Sequence, residues 1–122
     1  MKFMMLMIPA AYQGTKPAPD FKPNRKAMEA MGRFNEEMGK YLKIESLNGL
    51  QPQAKGARVS FAKGKPSVTD GPFIESKEVL GGYWLLEAPS KEAVVKWAQR
   101  CPAEEGDTIE IRQVFEPEDL AM

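Results

Sequence analysis

The chain has 122 residues, 17 Lys and Arg against 17 Asp and Glu, one cysteine and no histidine. That length fits a single domain over 1–122, and the balanced charge supplies no net field toward nucleic acid or an anionic membrane, so neither is expected as a partner. Lacking histidine, the chain is without the commonest general base and the commonest transition-metal ligand, and neither a metal site nor a cofactor is expected.

Lys2 to Ile8 is a short apolar run, as in a central strand covered on both faces. One lysine before it and Pro9 directly after it make it too short for a signal peptide or a membrane span. Pro9 to Pro23 carries four prolines and Gly14, which predict a long loop. Tyr12 in that loop reads first as solvent-exposed and second as the cover of a pocket mouth.

Asn24 is placed to cap a helix in which Ala27, Met28, Met31, Phe34, Met38 and Tyr41 recur at three- and four-residue steps. Ile44 to Leu50 predicts a short strand. Ala57 to Phe61 alternates apolar and polar side chains, Ala62 to Lys65 supplies a turn, and Pro66 to Thr69 returns, which together predict a β-hairpin.

Gly81 to Glu87 predicts a strand led by two glycines that either allow close backbone approach or bend it. Tyr83 and Trp84 must point to opposite faces, one into the core and the other into a cavity or interface. Ser90 caps a second helix with Ala93, Val94, Trp97, Ala98 and Cys101 on its buried stripe and Pro102 at its end. Cys101 has no internal disulfide partner, reads as a small buried hydrophobe, and suits a reducing, cytoplasmic setting. Thr108 to Phe115 alternates as a last strand.

The order β, α, β, inserted β-hairpin, β, α, β predicts an α+β fold of the ferredoxin-like split βαβ plan, an antiparallel sheet with both helices on one face. The bare face calls for a second copy, hence a homodimer packed sheet against sheet.

The densest stretch of special-purpose residues is Val68-Thr69-Asp70-Gly71-Pro72-Phe73-Ile74-Glu75-Ser76-Lys77-Glu78, followed by Gly81-Gly82-Tyr83. It resembles the DGPF-motif subgroup of the YCII-related family, clearly from about 57 to 114 and more loosely before that, with Arg58 and the Ile109-Glu110-Ile111-Arg112 strand also similar. The resemblance implies a ferredoxin-like subunit of a dimeric α+β barrel. It also implies kinship with small isomerases and dehydrochlorinases that work through a His-Asp pair, which this histidine-free chain cannot form. Members of that family are often encoded beside sigma-factor genes, which brings a regulatory association into view.

Two roles are open for each candidate. Asp70 is either a general base whose pKa is raised by burial near Phe73 or the acceptor that locks its own turn. Arg58 and Arg112, if their strands share the open sheet face, either clamp a carboxylate or pair with Glu110, Glu75 or Glu78. Glu75, Lys77 and Glu78 read as a solvated charge run. Two functions follow. One is a cofactor-independent lyase or isomerase acting on a small anionic organic molecule, with Asp70 moving a proton and Arg58, Arg112, Tyr83, Trp84, Phe73 and Tyr12 as candidate ligand-binding residues. The other is a non-catalytic module that binds a small ligand or a regulatory partner.

Overall fold

The computed structural model describes residues 1–13, 24–71 and 78–120. Its elements run β1 (Lys2–Ile8), a 3₁₀ turn (Ala10–Tyr12), α1 (Arg25–Met38), β2 (Lys43–Gly49), a second 3₁₀ turn (Gln53–Lys55), β3 (Ala57–Ala62), β4 (Lys65–Asp70), β5 (Gly82–Glu87), α2 (Lys91–Ala98), β6 (Thr108–Gln113) and α3 (Pro117–Leu120). The fold is α+β. Four strands form an antiparallel sheet in the order β2-β5-β1-β6, and β3 and β4 form a sheet of their own.

Period-two alternation sorts the sheet's side chains. Phe3, Met5, Trp84 and Leu86 face Phe34 and Met38 of α1 and Val94 of α2, building the core. Both helices therefore cover one face. The other face carries Met4, Leu6, Tyr83 and Leu85, all half-buried, with no described helix over them. Burial of β1 on both faces, as its apolar run suggested, is thus not achieved by the described residues of one chain.

Local chemistry fixes the helix starts. The Asn24 side chain accepts from the Ala27 amide at 3.0 Å, and Ser90 Oγ accepts from the Ala93 amide at 3.1 Å, so each supplies an N-cap. Aromatic edges lock the interior: the Phe34 ring meets Trp84 at 6.4 Å and 87°, a T-shaped geometry that favours ring quadrupoles.

Three expectations need correction. Ala27 and Met28 are exposed in the first turn of α1, and Tyr41 is exposed beyond its end at Met38, so the buried stripe is confined to Phe34, Met38 and the partly buried Met31. The second helix stops at Ala98 rather than running to Cys101. The Pro102 ring, lacking an N–H, would collide with the carbonyl four residues earlier, that of Ala98, so the last turn must open there. Cys101 lies just beyond, half-buried against the core. Finally, α3 and both 3₁₀ turns carry no strong periodicity, and the sequence reading placed none of them.

The hairpin is an arm. Lys63 and Gly64, at φ 53° and 76°, make its turn, the doubly left-handed geometry that matches strand twist. Every residue from Ala57 to Asp70 is exposed.

Candidate functional site

One described cavity, of about 370 Å³ and bounded by Glu37, Tyr41, Lys96, Trp97 and Arg100, lies beside the far ends of α1 and α2. Two others gather where β1 ends, β5 begins and α1 starts. Two backbone bonds tie this corner: Gly81 N donates to Met7 O at 2.8 Å and Leu50 N donates to Gly81 O at 2.9 Å. Gly81 has no room for a Cβ, which would overlap the Pro9 ring and press on Tyr12. Of the two readings of the paired glycines, close backbone approach is the one the geometry requires.

The 3₁₀ turn then folds Tyr12 inward. Tyr12 is buried, and its hydroxyl donates to Leu50 O at 2.7 Å; burial raises its pKa above the ordinary phenol value. The expectation of a solvent-exposed loop tyrosine is therefore wrong. Gln13 holds the turn in place, its amide donating to Pro9 O at 2.8 Å and Val79 O at 3.1 Å while accepting from Val79 N at 3.0 Å. On the far wall, Asp107 accepts from Ala10 N and Glu104 N, each at 2.8 Å. Its carboxylate is consumed in joining the 104–107 turn to the turn at Tyr12.

These elements enclose a cavity of about 350 Å³ whose walls are Met7, Pro9, Ala10, Ala11, Tyr12, Ala27, Met31 and Pro102, with Asn24, Glu104 and Asp107 at its polar positions. A second cavity of about 150 Å³ shares Met7, Met31 and Gly81 with it and adds Asn35, Asn48, Tyr83 and Trp84. Together they form one apolar cleft under the first half of α1.

Tyr12, as the cover of a pocket mouth, and the Gly81-Gly82 pair, as a close backbone approach, are both marked in the sequence by their residue types. Gln13, Asn35 and Asp107 carry no such signal, because their roles come from bonds across 66, 49 and 97 residues.

The candidates fall in different places. Trp84 belongs to the core, its Nε1 donating to Asn35 Oδ1 at 2.7 Å. Tyr83 lies on the helix-free face, and its hydroxyl accepts from Asn48 Nδ2 at 3.0 Å and shares a 3.0 Å bond with Ser46 Oγ. The bond to Ser46, then that to Asn48, lowers the Tyr83 pKa. Arg112 is on that same face and reaches Glu110 at 3.1 Å, the ion-pair option of its two readings. Arg58 lies on β3, in the arm and outside the four-stranded sheet, so the condition for pairing it with Arg112 on one open face is not met within a chain. Asp70 ends β4, exposed and opposite Ala57. Phe73, Glu75 and Lys77 lie outside the described residues.

A sequence model of the YCII-related domain matches residues 1–118. The chain belongs to the YCII-related family. No curated protein matches it. Among the described residues of this YCII-related chain, no group of three or more Cys, Asp or Glu is placed to hold a metal ion. Nor is any helix long and apolar enough to cross a membrane.

At the base of the arm, Gly71 N donates to Gly56 O at 2.9 Å. The Gln53 side chain beneath it is buried, and neither its Nε2 nor its Oε1 has a hydrogen-bond partner. An orphaned amide at the first half of the DGPF motif is the clearest polar irregularity among the described residues.

Proposed function

We propose that this YCII-related protein, of the DGPF-motif subgroup, is a cytoplasmic homodimer that binds a small anionic organic molecule in the cleft beneath α1. The observation that carries the reading is the apolar cavity of about 350 Å³ at the start of that helix. Small-molecule sites are concave, mostly apolar and of this size, with few polar groups. The N-terminal end of a 14-residue helix adds partial positive charge where Asn24 and Ala27 meet the cavity, favouring a carboxylate there. Asp107 spends both carboxylate oxygens on amide donors, which offset part of its field on an anion, while Glu104 is a second carboxylate at the cavity wall.

The dimer rests on the helix-free face. The order β2-β5-β1-β6 with both helices opposite fits a ferredoxin-like subunit, and the apolar side chains of Met4, Leu6 and Leu85 need a cover. A second copy packed through a two-fold axis supplies it and yields a dimeric α+β barrel.

Thermal unfolding with benzoate and with benzamide tests the ligand class. Benzoate is expected to raise the midpoint by several degrees at concentrations far above its dissociation constant, and benzamide by much less. Equal shifts, or none, would contradict the anionic reading. Replacing Gly81→Val should abolish the shift, because the new side chain displaces Pro9 and Tyr12.

A second reading, a cofactor-independent lyase or isomerase, is favoured by one observation: on the helix-free face the Tyr83 hydroxyl is polarised by Ser46 and Asn48. Such a phenol can exchange a proton with a bound molecule; Asp70, exposed at the end of the arm, lines neither cavity and is not placed to share that role. Deuterium incorporation into phenylacetate at the carbon beside its carboxylate, followed by NMR in D₂O, would demonstrate it. The exchange should fall in Tyr83→Phe, and its absence in the parent protein leaves the binding role alone.

A further inference from the structure

The arm exposes an apolar face that nothing among the described residues covers. Val59 opposes Val68 and Phe61 opposes Pro66, so these four side chains share one side of the hairpin. Phe61 is 79% exposed and Val68 68%. A lone two-stranded hairpin is marginal in water, and an apolar strand surface left open invites pairing with another chain.

The charges point to the partner. From Lys55 to Asp70 the arm holds Lys55, Arg58, Lys63 and Lys65 against Asp70 alone. From Glu104 to Asp119 the chain holds seven carboxylates against Arg112 alone. Amid those carboxylates, Phe115 is 72% and Leu120 63% exposed. β6, which leads into this segment, pairs only with β1 among the described strands and is a sheet edge. One chain thus carries a basic element with an open apolar face and an acidic surface with open apolar residues, and the exposure of both means that they do not cover each other.

We propose that the β3–β4 arm of one copy docks on the β6–α3 surface of a second copy. Phe61 and Val68 pack on Phe115 and Leu120, while Lys63 and Lys65 lie beside Glu116 and Glu118. Two-fold symmetry repeats the contact, so each copy gives an arm and receives one. This rests on the reading that the chain pairs with itself, but on a different surface from the helix-free sheet face.

Sedimentation equilibrium across a dilution series tests it. The Phe61→Ser, Val68→Ser chain should fold, since both side chains are exposed, and circular dichroism checks this. Its dimer dissociation constant should rise at least tenfold. Reversing the tip charges (Lys63→Glu, Lys65→Glu) should weaken the dimer, and adding Glu116→Lys with Glu118→Lys should restore it. An unchanged dissociation constant in the serine variant, or no rescue on charge exchange, overturns the proposal. Leu6→Glu on the open sheet face separates the two contacts. If it dissociates the dimer and the arm variants do not, the sheet packing stands and the arm fails; the reverse pattern sinks the sheet packing and keeps the arm.

Discussion

Gly71 packs so closely on Gln53 that a Cβ at position 71 would overlap the Gln53 carbonyl oxygen. The second residue of the Asp70-Gly71-Pro72-Phe73 motif is therefore required by a backbone approach, whatever chemistry its neighbours perform. Gly71→Ala must push the arm's base away from the 3₁₀ turn at Gln53, and overpacking of this kind costs about 1–3 kcal/mol. Urea denaturation should show that loss as a lower midpoint. A parent-like midpoint would mean that the turn has slack.

The buried amide of Gln53 sets up the opposite expectation. A polar group that lacks a partner costs about 1–3 kcal/mol relative to a paired or apolar one. Gln53→Met, similar in length and without the amide, should raise the urea midpoint. A fall instead would show that the amide has a partner in solution, and would make Gln53 part of a binding site.

Cys101 should react slowly with iodoacetamide. Burial, reinforced by the Asp107 carboxylate, pushes its thiol from 9.0 to about 11, and the thiolate is the nucleophile. Because the folded state favours the neutral thiol, this group's contribution to stability is complete below pH 9 and is lost as pH rises through about 11. The alkylation rate should climb over that window, whereas a rate already half-maximal at pH 9 would show an unperturbed thiol.

Tyr83 and Tyr12 should separate in a spectrophotometric titration, because the first is lowered by its hydrogen bonds and the second raised by burial. For Tyr83 the fold favours the phenolate, so its contribution to stability exists above pH 10 and is lost as pH falls through the lowered value. For Tyr12 the fold favours the neutral phenol, and the contribution present below pH 10 is lost as pH rises past it. Tyr83→Phe should remove a phenolate that forms below pH 10, and Ser46→Ala should move that step upward. If the lowest step survives in Tyr83→Phe, the Ser46–Tyr83–Asn48 trio does not polarise the phenol.

What the sequence showed was local. Asn24 and Ser90 are caps because a side-chain oxygen reaches an amide three residues on, and β1, β5 and β6 carry their own period. The hairpin was legible for the same reason, down to the turn around Lys63-Gly64. Its detachment from the main sheet was not, since strand partners are chosen by non-local pairing that no alternation records, and Arg58 was misplaced with it. Tyr12 was misread because its burial depends on Leu50 and on Gln13 bonding Val79 across the chain. The cleft itself is a product of packing: Met7 and Met31 are unremarkable in sequence and meet Gly81 only when β1, α1 and β5 converge. Asp70 shows the limit from the other side, a residue conspicuous in its motif that stands exposed on an arm.

Pairing between copies carries the most weight in this account, since both the covered sheet face and the arm contact depend on it. Sedimentation equilibrium of the purified chain at tens of micromolar measures it directly. The expected result is a single species at twice the 13.6 kDa chain mass, dissociating on dilution. A monomer at 13.6 kDa across that range would contradict the dimeric barrel and the arm exchange together.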